Sequence, residues 1–414
     1  MKVLFKEINC LFGAYEQAII SPLKGEGLQK IEKIEGAWLA VEDGKVADFG
    51  SMDNFPGISD WSGLDVIDMA GSNIYPAFCD SHTHLVYSHT REEEFSMRLR
   101  GMSYQEIASR GGGILNSAGR MKAADENVLF EAALARANEM IALGTGSLEI
   151  KSGYGLDTAS ELKMLRVIKR LKETLPIPVK ATFLGAHAVP TNLNKEKYID
   201  LLLHEMLPEV AAQNLADYCD VFCEQGYFSA EDTRKILDKA ATLGLRGKVH
   251  AEQLSDSGGV LAGIESGAIS VDHLEFLSPG GIQALKNSNT IPTLLPGAQF
   301  FLGLKNPPVA EMLAAELPIA LSSDHNPGSC PSFNMALMVS LACILYRMSP
   351  ESAFNAATQN SACAIELGNE TGTLCRGKRA NFFTTGGNIQ PAHLPYFFGN
   401  PIIRETYING LKFS

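Results

Sequence analysis

The sequence predicts an α/β protein: a (β/α)8 barrel, with a small β-domain assembled from both chain ends. Three observations lead there. Eight short apolar runs, each finishing on a polar residue or glycine, recur through the middle of the chain. Stretches with helical patterning lie between most of them. The reactive side chains gather at the C-terminal ends of those runs, where barrel enzymes place their sites.

The chain begins with strand-like texture. Ala37–Val46 holds two apolar runs joined by Asp43-Gly44, a strong two-residue hairpin signal, and Val66–Met69 reads as another short strand. The far end repeats the pattern, with Ile402–Phe413 interrupted by Asn409-Gly410. Residues 1–72 and 372–414 are therefore assigned to the β-domain, where Trp38 and Trp61 are expected to pack, and residues 73–371 to the barrel. The barrel strands are read at Asn73–Asp80, Gly146–Lys151, Val179–His187, Cys219–Glu224, Gly247–Glu252, Ser270–Glu275, Ile291–Gly297 and Ile319–Asp324. Crossover helices are expected over Ala159–Thr174, Ala230–Leu243, Gly258–Glu265 and Ala310–Glu316. Alternation alone also permits an open doubly wound sheet. The position of the reactive residues decides for the barrel.

The 414 residues suffice for a large core, and 45% hydrophobic with 20% charged residues is ordinary for a globular protein. A net charge of −12 argues against a nucleic-acid groove, which needs clustered Lys and Arg. The eight cysteines are scattered through apolar segments without a CxxC pair and read as reduced, buried thiols. No apolar run approaches the roughly 20 residues that cross a bilayer, and Met1–Cys10 lacks a secretory core. The expected setting is cytoplasmic, with a small-molecule substrate, no nucleic acid and no membrane; a homodimer is the base-rate expectation.

The strand ends carry the chemistry. The first ends in His82-Thr-His84, the third in His187, the fifth in His250, the sixth in Asp272-His273 and the eighth in Asp324. Residues i and i+2 on a strand point the same way, so His82 and His84 can grip one ion together. Imidazole suits zinc or iron, and aspartate adds a hard anionic ligand. Three histidines and one carboxylate leave a position for a water whose pKa the metal lowers. Gly111–Gly113 lacks the Lys-Ser/Thr and the spacing of a phosphate cradle and reads as a loop covering the substrate. His89, His204 and His393 read as loop or surface residues, and His325 as a neighbour of the site.

Further motifs lie around these ends. They include Arg91-Glu-Glu-Glu-Phe95, Glu149-Ile-Lys-Ser-Gly-Tyr-Gly-Leu156, Phe183-Leu-Gly-Ala-His187 and Asp220-Val-Phe-Cys-Glu224. Others are His250-Ala-Glu-Gln253, Asp272-His-Leu-Glu275 and Asp324-His-Asn-Pro-Gly-Ser329. In this order, across nearly the whole chain, they resemble the amidohydrolase superfamily, and most closely its members that open the ring of a small imidazolone carboxylate. The resemblance implies a β-sandwich from both termini and one zinc or iron ion per chain, ligated by His82, His84, His250 and Asp324. It implies that His273 is the base for water and that Asp324 also shuttles a proton to the departing ring nitrogen. It assigns Arg91 and Tyr154 to the substrate carboxylate, and His187, Gln253, Asn326, Gly328 and Ser329 to other substrate contacts. The implied reaction is hydrolysis of a ring C–N amide bond in histidine degradation. Another cyclic amidohydrolase, a nucleobase deaminase or a non-catalytic relative are the alternatives. Two departures matter. Gln253 stands where the family often has Glu and cannot act as a base. No lysine ends the fourth strand to bridge a second metal, although Glu224 there offers a carboxylate.

Overall fold

The computed structural model describes residues 1–102, 106–107 and 111–413. Its centre is an eight-stranded parallel sheet whose strands pair in sequence order. They are Phe78–Asp80, Thr145–Lys151, Val179–Ala186, Tyr218–Cys223, Arg246–Ala251, Ser270–His273, Ile291–Leu294 and Ala320–Leu321. The first and eighth strands are joined just beyond their ends. Asp324 N donates to His82 O at 3.0 Å and His84 N to His325 O at 2.8 Å, closing a barrel. Nearly every strand residue is buried, as a sheet covered on both faces requires.

Helices pack outside the barrel and start on side-chain caps that the sequence supplies. Asp125 caps Glu126–Ala142, Asp157 caps Thr158–Thr174, and Ser229 with Asp232 forms a capping box on Ala230–Thr242. No helix among the described residues is long and apolar enough to cross a membrane.

The second sheet joins the chain ends. Lys2–Phe12, Lys33–Glu42, Lys45–Ser51, Leu64–Asp68 and Ser72–Pro76 come from the front, and Phe382–Gly386, Glu405–Ile408 and Leu411–Lys412 from the back. Ser72–Pro76 pairs antiparallel with Phe382–Gly386 and so ties the ends together. Both expected hairpins form. Their turns place positive φ at Asp43 (48°), Gly44 (78°), Asn409 (52°) and Gly410 (76°), as a type I′ turn demands. Gly410 is also required by space, since a Cβ there would lie 2.7 Å from Val41.

Three details depart from expectation. The run Asn73–Asp80 is two strands: its first half belongs to the terminal sheet, and the chain passes at Ala77 into the barrel. The seventh strand stops at Leu294, because Pro296 opens the helix Pro296–Leu302. Trp38 is buried, but Trp61 is 65% exposed and packs no core.

Lys378 is buried, and its ammonium donates only to neutral oxygens: Gln359 Oε1 and Thr371 O at 3.0 Å and Thr373 Oγ1 at 2.7 Å. Burial pushes its pKa down from 10.5 to about 8. Between those values the unfolded chain binds more protons than the folded one, so this group's contribution to stability rises with pH. Urea unfolding of the wild type should therefore gain on that of Lys378→Met between about pH 7.5 and about pH 10, by on the order of 2 kcal/mol. Parallel curves for the two proteins would show that the ammonium is not strained by burial.

Candidate metal centre and active site

The barrel closure brings the ends of the first, fifth and eighth strands to one point. His82, His84 and His250 are buried, with ligand atoms within 4.8 Å of one another. His82 Nδ1 is 2.6 Å from Asp272 Oδ2, and His250 Nδ1 is 3.1 Å from Asp220 Oδ2. The carboxylate hydrogen-bonded to His82 Nδ1 places the proton there, and the Asp220 charge beside His250 Nδ1 favours the same tautomer, which leaves each Nε2 as a lone pair. The two Nε2 atoms nevertheless face each other at 3.1 Å. Asp324 Oδ1 stands 3.6 Å from His82 Nε2 and 3.5 Å from His84 Nε2. Donors about 2.1 Å from one ion at the corners of a tetrahedron stand about 3.4 Å apart. Electron pairs converging at these distances with no proton between them suit a cation, and the donor set fits zinc or iron.

The protonation states agree. Burial, reinforced by Lys151 and the neighbouring histidines, pushes the His82 pKa well below its ordinary value. Burial also lowers His84, against the pull of Asp324. Burial alone would raise Asp324, but its contacts with His84 and the nearby histidine charges hold it below the ordinary carboxylate range. Neutral imidazoles and an ionised carboxylate are the forms that bind metal. His273 differs. Burial would lower it, yet the Glu275 carboxylate 3.9 Å from its Nδ1, then Asp324 and Asp272, carry its pKa above the ordinary value.

The cavity above the histidines is lined by Arg91, Tyr154, His187, Gln253, His273, Asn326 and Ser329, together with Ile114 and Leu302. Arg91 is the N-cap residue of Glu92–Leu99, and its guanidinium lies flat on Gly328. A Cβ at Gly328 would fall 1.7 Å from Arg91 Nη2, so the guanidinium keeps this position only while residue 328 is glycine. Glu94 lies 3.6 Å from Arg91 and accepts from Gly113 N at 2.9 Å, anchoring the glycine stretch beside the cavity. Tyr154 projects from a loop wound around one carboxylate: Glu161 accepts from Gly153, Gly155 and Leu156 N at 3.1, 2.6 and 3.0 Å. His187 stacks on His84 with ring centroids 5.2 Å apart and donates through Nδ1 to Gly153 O at 2.9 Å. Its Nε2 is consequently an acceptor, suited to a substrate N–H and not to polarising a carbonyl.

Several groups beside the cavity are also tied into their own loops. Both donors and the acceptor of the Asn326 amide serve its own turn, binding Asp324 O, Ser329 Oγ, Gly328 N and Ser329 N. Asn326 thus shapes the turn, and Ser329 Oγ reaches Asp324 Oδ2 at 3.3 Å. Glu224 points away from the histidines; it accepts from Leu254 N and Gln225 N at 2.8 Å and from the Ser255 hydroxyl, and so clamps the loop after Gln253. His325 is buried beside Tyr87 and Phe333, and burial pushes its pKa down to about 3. Glu94, Glu161 and Glu275 escaped the sequence reading. Glu275 alone carried a signal, two residues beyond His273 on the same strand end.

Residues 73–412 match the amidohydrolase family, and the chain belongs to it. The superfamily is metal-dependent, in keeping with the histidine cluster. Within it, the curated relatives with high identity are imidazolonepropionases. That of Christiangramia forsetii is 47% identical over 412 residues, covering 99% of both chains. That of Shewanella baltica is 42% identical over 380 residues, covering 91% of this chain and 93% of the relative. Among solved structures, E. coli guanine deaminase superposes with a TM-score of 0.75 at 15% identity, over 100% of this chain and 99% of that one. A mutant atrazine chlorohydrolase from Arthrobacter aurescens, complexed with zinc and atraton, gives 0.75 at 15% identity, over 99% and 94%. Those two likenesses concern the fold.

Metal-free protein titrated with zinc is expected to gain thermal stability, by about 2.7 kcal/mol at a hundredfold excess over Kd. His84→Ala should lose most of that shift. An equal shift in His84→Ala would place the ion elsewhere.

Proposed function

We propose that this chain hydrolyses the ring C–N amide bond of 4-imidazolone-5-propanoate to N-formimidoyl-L-glutamate, using one zinc or iron ion held by His82, His84, His250 and Asp324. One observation carries the reading: a buried guanidinium, Arg91, lines the same small cavity as the histidine cluster. A planar fork at that spot recognises a carboxylate held a short distance from the reacting bond, whereas a neutral nucleobase would not require it. The names of the highly identical relatives point the same way.

The bound ion supplies Lewis acidity to the ring carbonyl and lowers the pKa of a water. Around it, His273 accepts the proton of the attacking water, made more basic by Glu275. Asp324 lies between His84 and the Ser329 hydroxyl; as a carboxylate it takes the second proton of the added water and passes it to the departing ring nitrogen, leaving the new carboxylate deprotonated. His187 accepts a ring N–H through Nε2 and fixes the face of the ring presented to the water. Gln253 offers one acceptor and two donors to the ring amide and takes no part in proton transfer. Arg91 and Tyr154 hold the propionate, and the Gly328 backbone keeps the guanidinium at its station.

Loss of substrate ultraviolet absorbance reports the reaction. Purified, metal-replete protein should consume freshly made imidazolonepropionate far faster than buffer; equal rates would falsify the assignment. Arg91→Met should raise KM by roughly 10- to 100-fold, the loss of about 1.5–3 kcal/mol for a charged hydrogen bond. Gly328→Ala should do the same with the arginine itself retained, because the methyl group displaces the guanidinium. An unchanged KM in both variants would remove Arg91 from substrate binding.

A further inference from the structure

Beneath the histidines the barrel interior holds ions that no step above uses. Glu149 and Lys151 occupy alternate positions on the second strand, Lys248 precedes His250 by two on the fifth, and Asp220 and Asp272 come from the fourth and sixth. All five side chains have no solvent exposure, and none lines the substrate cavity. Glu149 joins the two lysines, with Oε1 2.8 Å from Lys151 Nζ and Oε2 2.8 Å from Lys248 Nζ. Lys151 then binds Asp220 Oδ2 at 2.8 Å, while Lys248 binds Ser81 O at 2.9 Å, next to His82. Asp272 Oδ2 lies 3.9 Å from one ammonium and 3.8 Å from the other.

We propose that Lys151 and Lys248 are positioning residues of the metal centre, fixed cations that hold Asp220 and Asp272 against Nδ1 of His250 and His82. The inference rests on the reading that these histidines ligate the ion. Two carboxylates that select an imidazole tautomer are ionised in a water-free interior, which is costly without counter-charge. Two ammonium groups set against three carboxylates leave one negative charge, shared by the two Nδ1–H groups. Strand alternation delivers this without loops: Lys248 and His250 face inward together, one level apart, as do Glu149 and Lys151. A core-filling role makes a different forecast, because buried ion pairs are often replaceable by apolar side chains of similar size.

The test compares metal-free wild type, Lys151→Met, Lys248→Met, Asp220→Asn and the double variant Lys151→Met/Asp220→Asn, titrated with zinc against a chromophoric chelator. Each single lysine variant should bind zinc about 10- to 100-fold more weakly, the usual cost of losing an outer partner of a ligand. The double variant, with charge balance restored and an acceptor kept on His250, should return to the affinity of Asp220→Asn alone. Nitrogen NMR of histidine-labelled, metal-free protein should show the Nδ1–H tautomer of His250 in the wild type and its loss in Lys151→Met. Lysine variants that fold and bind zinc as tightly as wild type, with the tautomer intact, overturn the proposal. Wild type that binds zinc no better than His84→Ala overturns the metal-centre reading instead. If Lys151→Met does not fold, Lys248→Met, which acts on His82 through Asp272, decides by the same measurements.

Discussion

Everything in the site depends on how the barrel closes. The strand ladder runs unbroken from the first strand to the eighth, and the joint between those two is made by the backbone of His82, His84, Asp324 and His325. Asp324 N on His82 O and His84 N on His325 O fix the register of one chain segment against another remote in sequence. A slip of one residue would turn every inward side chain outward. The same two bonds that complete the sheet therefore set the separation of the Asp324 carboxylate from both histidines. Positive φ at Asp324 (54°), His273 (88°) and Leu274 (75°) then bends the chain off the strand ends into the mouth. Such backbone costs on the order of 1–3 kcal/mol per residue and persists only where surrounding structure imposes it.

Burial acts equally on the site histidines, yet they do not respond alike. Burial is the largest single influence on each, and in His82, His84 and His187 it prevails and favours the neutral form. His273 is buried as deeply and moves the other way, since Glu275 sits behind it and Asp324 and Asp272 lie nearby. Ligand and base are thus distinguished by what stands behind the ring, not by exposure.

Much of this was legible in the sequence, for a definite reason. Barrel strand ends are local features, so His82-Thr-His84, His250, His273 and Asp324 could be placed on one rim before any contact was known. The two terminal hairpins were equally readable, because Asp43-Gly44 and Asn409-Gly410 name their turn type. What could not be read involves partners chosen at a distance. The run Asn73–Asp80 is continuous in composition, and nothing in it announces that its neighbour changes from Phe382–Gly386 to Thr145–Lys151. Asn326 was expected to face the substrate, and nothing in the sequence announces that its amide also binds its own turn. Glu161 sits in the first turn of Thr158–Thr174, where nothing in the sequence marks it out, and its carboxylate faces back into the loop. The interior ions did leave a trace. A charged residue two positions from another, inside an otherwise apolar strand, as in Glu149-Ile-Lys151 and Lys248-Val-His250, marks an inward pair.

The molecule separates two tasks by the kind of backbone that carries them. Metal-ligating groups stand on strand ends, where closure and interior ions leave little freedom. Most groups facing the substrate stand on loops, each organised around a buried acceptor: Glu94 for Gly113, Glu161 for the Tyr154 loop, Glu224 for the segment after Gln253, and the Asn326 amide for the turn bearing Gly328. Those acceptors satisfy backbone N–H groups that would otherwise be stranded in a closed cavity. They hold the loops without drawing on the metal-binding residues. A change of loop can then alter what is bound while the histidine cluster stays as it is. In this chain the loops converge on a guanidinium pressed against a glycine backbone, and under the proposed function the Arg91–Gly328 contact is where selectivity for a small carboxylate would be expressed.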